Sequence, residues 1–76
     1  MEYKLSIEYC TSWGYLPEAV SLTNFLLGTY KDDFKEIKLI PSSGGVFLVT
    51  LNDEAIYSKK ETGRFPRNEE IEKKLK

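Results

Sequence analysis

Apolar and polar residues alternate from the start of the chain: Tyr3, Leu5, Ile7 and Tyr9 are separated by Lys4, Ser6 and Glu8. A period of two belongs to a strand buried mainly on one face, so the spacing predicts a first strand ending near Cys10. The period then changes. After Cys10-Thr11-Ser12-Trp13-Gly14, the residues Leu16, Ala19, Val20, Thr23, Leu26, Leu27 and Tyr30 fall within a stripe of about 120° on a helical wheel. This predicts a long amphipathic helix, with Pro17 in the first turn, where its missing N–H is not needed. Glu36 to Ile40 reads as a second strand, and Val46 to Leu51, apolar at nearly every position, as a third with both faces covered. Asn52-Asp53 is a hairpin turn into a fourth strand from Glu54 to Lys59. Beyond the Gly63-Arg64-Phe65-Pro66 turn, Asn68 is placed to cap a short terminal helix. Glu69 and Glu70 then lie in its first turn, and Lys73, Lys74 and Lys76 near its end.

The predicted order is βαβββα. A strand, a helix and a second strand imply a right-handed crossover between parallel neighbours, and the hairpin adds antiparallel strands. The expectation is a mixed four-stranded sheet with helices on one side, an α/β (α+β two-layer sandwich) arrangement that resembles the thioredoxin-like fold. No repeat, linker or low-complexity stretch interrupts the pattern, so residues 1–76 are expected to form a single domain. Phe25 points about 180° from the main helical stripe and Leu22 lies at its border, while the third strand offers apolar residues to both faces. Two helices on one side cannot cover all of these. An apolar surface is therefore expected, formed by Phe25 or by the open sheet face, and supporting a homodimer or a partner interface. Scattered surface hydrophobes are the ordinary alternative.

Composition narrows the field of functions. A chain of 76 residues buries only about 60% of its unfolded surface, so stability is modest or helped by self-association. Eleven basic residues against twelve acidic leave a net charge of −1, which implies no general attraction to nucleic acid or to an anionic membrane. Neither is expected as a partner. No apolar run approaches the roughly 20 residues that span a bilayer, and the opening residues do not read as a secretion signal, so a cytoplasmic location is expected. One cysteine and no histidine exclude an intramolecular disulfide, the usual zinc sets and His-assisted nucleophiles. No metal or resident cofactor is expected, and any thiol chemistry rests on Cys10. Glu8, Glu18 and Glu36 are too dispersed to mark a paired-carboxylate site, Asp32-Asp33 reads as solvated charge at a helix end, and Gly44-Gly45 lacks the lysine of a phosphate loop.

Three motifs, in order along this frame, carry a resemblance. They are Tyr9-Cys10-Thr11-Ser12-Trp13-Gly14-Tyr15-Leu16-Pro17, then Gly45-Val46-Phe47, then Ser58-Lys59-Lys60-Glu61-Thr62-Gly63-Arg64-Phe65-Pro66. Together they resemble the selenoprotein W-like (Rdx) family, whose first strand ends in Cys-x-x-Cys or Cys-x-x-selenocysteine before Gly-Tyr and a nearby proline. The resemblance covers nearly the whole chain, with one departure. Trp13 stands where relatives place the second cysteine or selenocysteine, so the internal resolving step of a dithiol oxidoreductase is missing.

What the resemblance implies is monothiol chemistry, with Cys10 forming a mixed disulfide with glutathione or a protein thiol/disulfide partner and a second thiol from solution releasing it. In that frame Lys59, Lys60 and Arg64 add positive potential beside the cysteine loop, and Trp13, Gly14, Tyr15, Phe65 and Pro66 shape a partner-binding surface. A helix starting as early as Trp13 or Gly14 would bring its dipole to bear on the thiol. The plain readings stand beside these. A lone cysteine is often an inert small hydrophobe, Trp13 fills space, edge-strand lysines deter aggregation, Pro41 is a loop proline, and Phe65-Pro66 anchors the last helix. Two functions remain: a monothiol redox protein, or a binding or scaffold module that kept the fold and lost the chemistry.

Overall fold

A computed structural model describes residues 2–75. The elements are β1 (Tyr3–Cys10), α1 (Leu16–Thr29), β2 (Phe34–Ser42), β3 (Phe47–Leu51), β4 (Glu54–Ser58), α2 (Lys59–Thr62) and α3 (Asn68–Lys74). The strands form one sheet in the order β2-β1-β3-β4. β1 runs parallel to β2 and antiparallel to β3, and β3 is antiparallel to β4. The sheet is mixed and the fold thioredoxin-like, as the pattern predicts, with α2 as an additional single turn.

The alternation in β1 places Tyr3, Leu5, Ile7 and Tyr9 in the core. β3 adds Phe47, Val49 and Leu51 to the same cluster, α1 adds Ala19, Leu22 and Leu26, and α3 adds Ile71 with Leu75 just beyond it. The hairpin turn forms at Asn52 and Asp53, whose φ values of 49° and 70° are those of a two-residue turn matched to the twist of its strands. Polar contacts tie the last helix down: the Tyr3 hydroxyl donates to the Leu75 carbonyl, and the Tyr30 hydroxyl donates to Glu72 at 2.7 Å.

Four expectations change. First, α1 buries Ala19, Leu22 and Leu26 and leaves Leu16, Val20 and Leu27 exposed, a rotation of about 70° from the predicted stripe at 100° per residue. Ala19, with the smallest side chain of the set, lets the helix approach the sheet there. Phe25 turns inward as a consequence and packs against the core, so it is not the exposed apolar surface. Second, β3 is covered on one face only, since Leu48 and Thr50 are half-buried. The open sheet face is polar towards the β3–β4 turn, where Lys4, Ser6, Glu36, Lys38, Thr50 and Asp53 line a depression, while Ile40 and Leu48 flank Glu8 nearer Cys10. Third, Pro41 lies within β2, opposite Tyr9; β2 is an edge strand, where a missing N–H is tolerated. Fourth, Asn68 is the first residue of α3, with Arg67 at the cap position. Lys76, expected near the end of that helix, lies outside the described residues.

Candidate functional site

Cys10 closes β1 and is held from both sides. Its N–H donates to the Val46 carbonyl at 2.9 Å, and its carbonyl accepts the Tyr15 N–H at 3.2 Å. The next residue reaches β2, with the Thr11 N–H 3.1 Å from the Ser42 carbonyl. The chain then turns tightly through Thr11–Gly14, closed by the Gly14 N–H on the Thr11 carbonyl. A φ of 72° at Gly14 is the left-handed geometry that glycine adopts without a steric penalty. Cys10 itself is 0% exposed, unlike Lys4, Ser6 and Glu8 of the same parity in β1.

Trp13 stands at the crest of that turn, 65% exposed. Its six-membered ring lies on Gly45, where a β-carbon would come within 2.7 Å of Trp13 Cζ3. Only a glycine leaves room for that contact, and its φ of 73° adds a second reason for glycine there. Gly45 precedes Val46, the partner of Cys10, so the indole roofs the backbone next to the thiol. The neighbour of Trp13 on its other side is Tyr15, edge-on at 6.1 Å between ring centroids.

From Tyr15 an aromatic cluster extends across the end of the sheet. Tyr15 meets Phe65 at 4.8 Å and Phe47 at 6.5 Å, and Phe47 meets Phe65 at 5.1 Å, all edge to face. These spacings are those of favourable aromatic pairs. The Lys59 ammonium lies 5.4 Å from both the Tyr15 and the Phe65 ring centroids, a cation held over π faces.

Cys10, Trp13, Gly14, Tyr15, Lys59 and Phe65 are therefore brought to one end of the sheet. Three other candidates stand apart. Lys60 is exposed on α2. Arg64 is engaged elsewhere: its guanidinium makes a two-pronged pair with Glu70, both contacts 2.7 Å. That pair raises the Arg64 pKa and, with the Arg67 N–H also donating to the Glu70 carboxylate at 2.8 Å, lowers the Glu70 pKa from 4.5 to about 2. Pro66 is half-buried in the segment between α2 and α3, and the adjoining Phe65 both joins the cluster and anchors that segment. The early helix start that would bring the dipole to bear on the thiol is not found: α1 begins at Leu16, and Pro17 removes one N–H from its first turn.

The sequence places Gly45 and Phe47 in a family motif without assigning either to the partner-binding surface; both are parts of this end of the molecule. Helix α2 was missed as well. Four residues of fair helix propensity followed by Gly63, left-handed at φ 80°, are the signal that identifies it. This turn swings Lys59 towards the aromatics, and Tyr57 secures it through its hydroxyl, 2.7 Å from both Thr62 Oγ1 and the Arg64 carbonyl. Among the described residues no cluster of Cys, Asp and Glu could hold a metal ion, and no helix is long and apolar enough to cross a membrane.

The chain matches the Rdx family model over residues 4–76. No curated protein matches it significantly. Among solved structures, a protein from Bordetella parapertussis aligns with a TM-score of 0.90 at 29% identity, covering 96% of this chain and 92% of its own. A selenoprotein W-related protein from Vibrio cholerae aligns with a TM-score of 0.93 at 24% identity, covering 99% of this chain and 94% of its own. With its sheet order, its cysteine at the end of β1 and a family match over nearly its whole length, the chain belongs to the Rdx family.

Proposed function

We propose that the protein is a monothiol redox protein in which Cys10 exchanges with glutathione disulfide or with a disulfide of a protein partner. The Cys10 thiolate attacks one sulfur of the disulfide, a new S–S bond forms to that sulfur, and the other sulfur leaves as a thiolate. A second thiol from solution then attacks the mixed disulfide and returns Cys10 to its reduced form. No second cysteine exists in the chain to do this internally. The observation that carries the reading is the grouping of Trp13, Tyr15, Phe65 and the Lys59 cation around the end of β1 in a member of this family. The cation favours an approaching carboxylate such as those of glutathione, and the exposed indole offers an apolar wall to a partner.

Because Cys10 is wholly buried, exchange requires the Thr11–Gly14 turn to lift, with Trp13 leaving Gly45. The test is the pH-dependent alkylation rate of Cys10 together with mass detection of a glutathione adduct that excess thiol reverses. The Trp13→Ala protein should alkylate about tenfold faster or more, in line with removal of a local opening barrier. A thiol that forms no adduct in either protein ends the redox reading.

One observation favours a second reading, a binding module without thiol chemistry: the thiol is covered while large apolar residues of the neighbouring helix are not. Cys10→Ala distinguishes the two, removing the adduct in the first case and leaving partner binding intact in the second.

A further inference from the structure

Lys59 is the one half-buried lysine among the described residues; the others are exposed. Its ammonium lies 5.4 Å from both the Tyr15 and the Phe65 ring centroids, and no described carboxylate pairs with it. The ion pairs of the described residues lie elsewhere and join Lys35 to Glu2, Lys38 to Glu36 and Arg64 to Glu70. Glu61, the acid of the same helical turn, lines a hollow beside β4 with Leu48, Ala55 and Ile56 instead. A charge partly stripped of water and left without a counter-ion is costly to keep, and the π faces offset only part of that cost. What remains is a positive charge open to an incoming anion, in surroundings where the attraction is stronger than in bulk water.

The side chain is also ordered in advance. The Tyr57 hydroxyl, 2.7 Å from both Thr62 Oγ1 and the Arg64 carbonyl, braces the α2 turn, and the two rings confine the lysine. A side chain that has already given up its rotamer freedom binds an anion without that cost. Lys60, one residue on, is exposed and has no such support. Tyr15 joins the Lys59 cation to the thiol: its ring lies under the ammonium, and its N–H donates to the Cys10 carbonyl. A chain reaches about 3.5 Å per residue, so a carboxylate a few residues from a sulfur held at Cys10 comes within range of Lys59.

We propose that Lys59 determines the specificity of the exchange, selecting disulfides that carry a carboxylate close to the sulfur over neutral or cationic ones. The inference rests on the thiol–disulfide reading above and narrows its substrate class. In the step itself the Cys10 thiolate attacks one sulfur of the disulfide, a new S–S bond forms to Cys10, the original S–S bond breaks, and the other sulfur leaves as a thiolate. Lys59 keeps its proton throughout and acts by charge alone.

Three probes isolate the charge: glutathione disulfide, which is anionic, hydroxyethyl disulfide, which is neutral, and cystamine, which is cationic. The rate of adduct formation at Cys10 is followed by mass for each probe in the wild-type chain, in Lys59→Met and in Lys60→Met, at concentrations where the rate rises in proportion to probe. Opening of the Thr11–Gly14 turn and the thiolate fraction then enter all three rates alike and cancel in the ratios between probes. Lys59→Met should reduce the ratio of glutathione disulfide to hydroxyethyl disulfide about fivefold, the scale of one charge pair near a surface, and should raise the ratio of cystamine to hydroxyethyl disulfide. Salt at about 0.5 M should move the wild-type ratios towards those of Lys59→Met by screening. Lys60→Met removes the same charge one residue away and should change either ratio by less than about twofold. Ratios that Lys59→Met leaves unchanged, or that both variants change equally, overturn the proposal and leave the exchange reading standing. A wild-type thiol that reacts with none of the three probes overturns both.

Discussion

Helices α1 and α3 cover the same core and are built on opposite plans. Five of the seven residues of α3 are charged, and it buries only Ile71. It is held in place by the Arg64–Glu70 pair, by the Glu72–Tyr30 hydrogen bond and by the Tyr3 contact to Leu75. Helix α1 has twice the length and one charge. It buries three residues and leaves three large apolar ones in solvent. The difference teaches what each face is for. α3 satisfies its outward face with charge and its inward face with one large residue, while α1 leaves outward apolar surface uncovered beside the thiol turn.

The largest expected effect comes from the inward faces. Leu26→Ala in α1 and Ile71→Ala in α3, both at fully buried positions, should each cost about 2–5 kcal/mol in urea-monitored stability. If Ile71→Ala costs much less than Leu26→Ala, α3 is a peripheral strap rather than half of the core.

Next comes the thiol turn at the N-terminal end of α1. Gly45→Ala forces a left-handed alanine against the indole and should cost roughly 1–3 kcal/mol. In a Trp13→Ala background the steric part disappears and the loss should fall to the backbone part, about 1 kcal/mol. A double-mutant cycle with no coupling would mean that Trp13 does not rest on Gly45 in solution.

Acid should act on α3 and spare α1. Glu70 has a folded-state pKa of about 2 against 4.5 ordinarily. Being depressed on folding, it contributes stability fully present above about pH 4.5 and lost as pH falls towards 2. The exposure of the pair limits the size of this effect. Hydrogen exchange should show α3 loosening in that window before α1 does, and Glu70→Gln should remove the pH dependence at the cost of a less well-held α3 at neutral pH. Equal loosening of both helices would show that they respond as one unit.

The smallest effect belongs to the outward face of α1. At low micromolar concentration, Val20→Glu or Leu27→Glu should change monomer stability by less than about 0.5 kcal/mol. A loss of several times that value would mean that Val20 and Leu27 belong to the core after all.

Much of this was legible in advance, and the failures have physical causes. The period of two in β1, the Asn52-Asp53 turn and the parallel crossover rest on local spacing and backbone preference, so they emerge from the chain directly. The rotation of α1 does not. From Leu22 round to Val20 its apolar arc is about 160° wide at 100° per residue, and a broad arc does not say which of its edges faces the sheet. Arg64 was expected to support the thiol because the family resemblance implies that the segment after the fourth strand folds beside the cysteine loop. It turns instead to Glu70, six residues away, a choice made by the turn at Gly63. Phe47 and Phe65 lie eighteen positions apart in sequence, and nothing local announces that they share a cluster with Tyr15.

By itself the sequence determined the order of the four strands and the two longer helices, the family pattern, the single thiol and the absence of a resolving cysteine, because these are properties of residue identity and short-range period. Tertiary structure alone decided that Cys10 is buried, that Trp13 rests on Gly45, that Lys59 rather than Arg64 attends the aromatic cluster, and which side of α1 meets water. Those outcomes depend on how closely surfaces distant in sequence approach one another, and that distance is settled only when the sheet and helices pack.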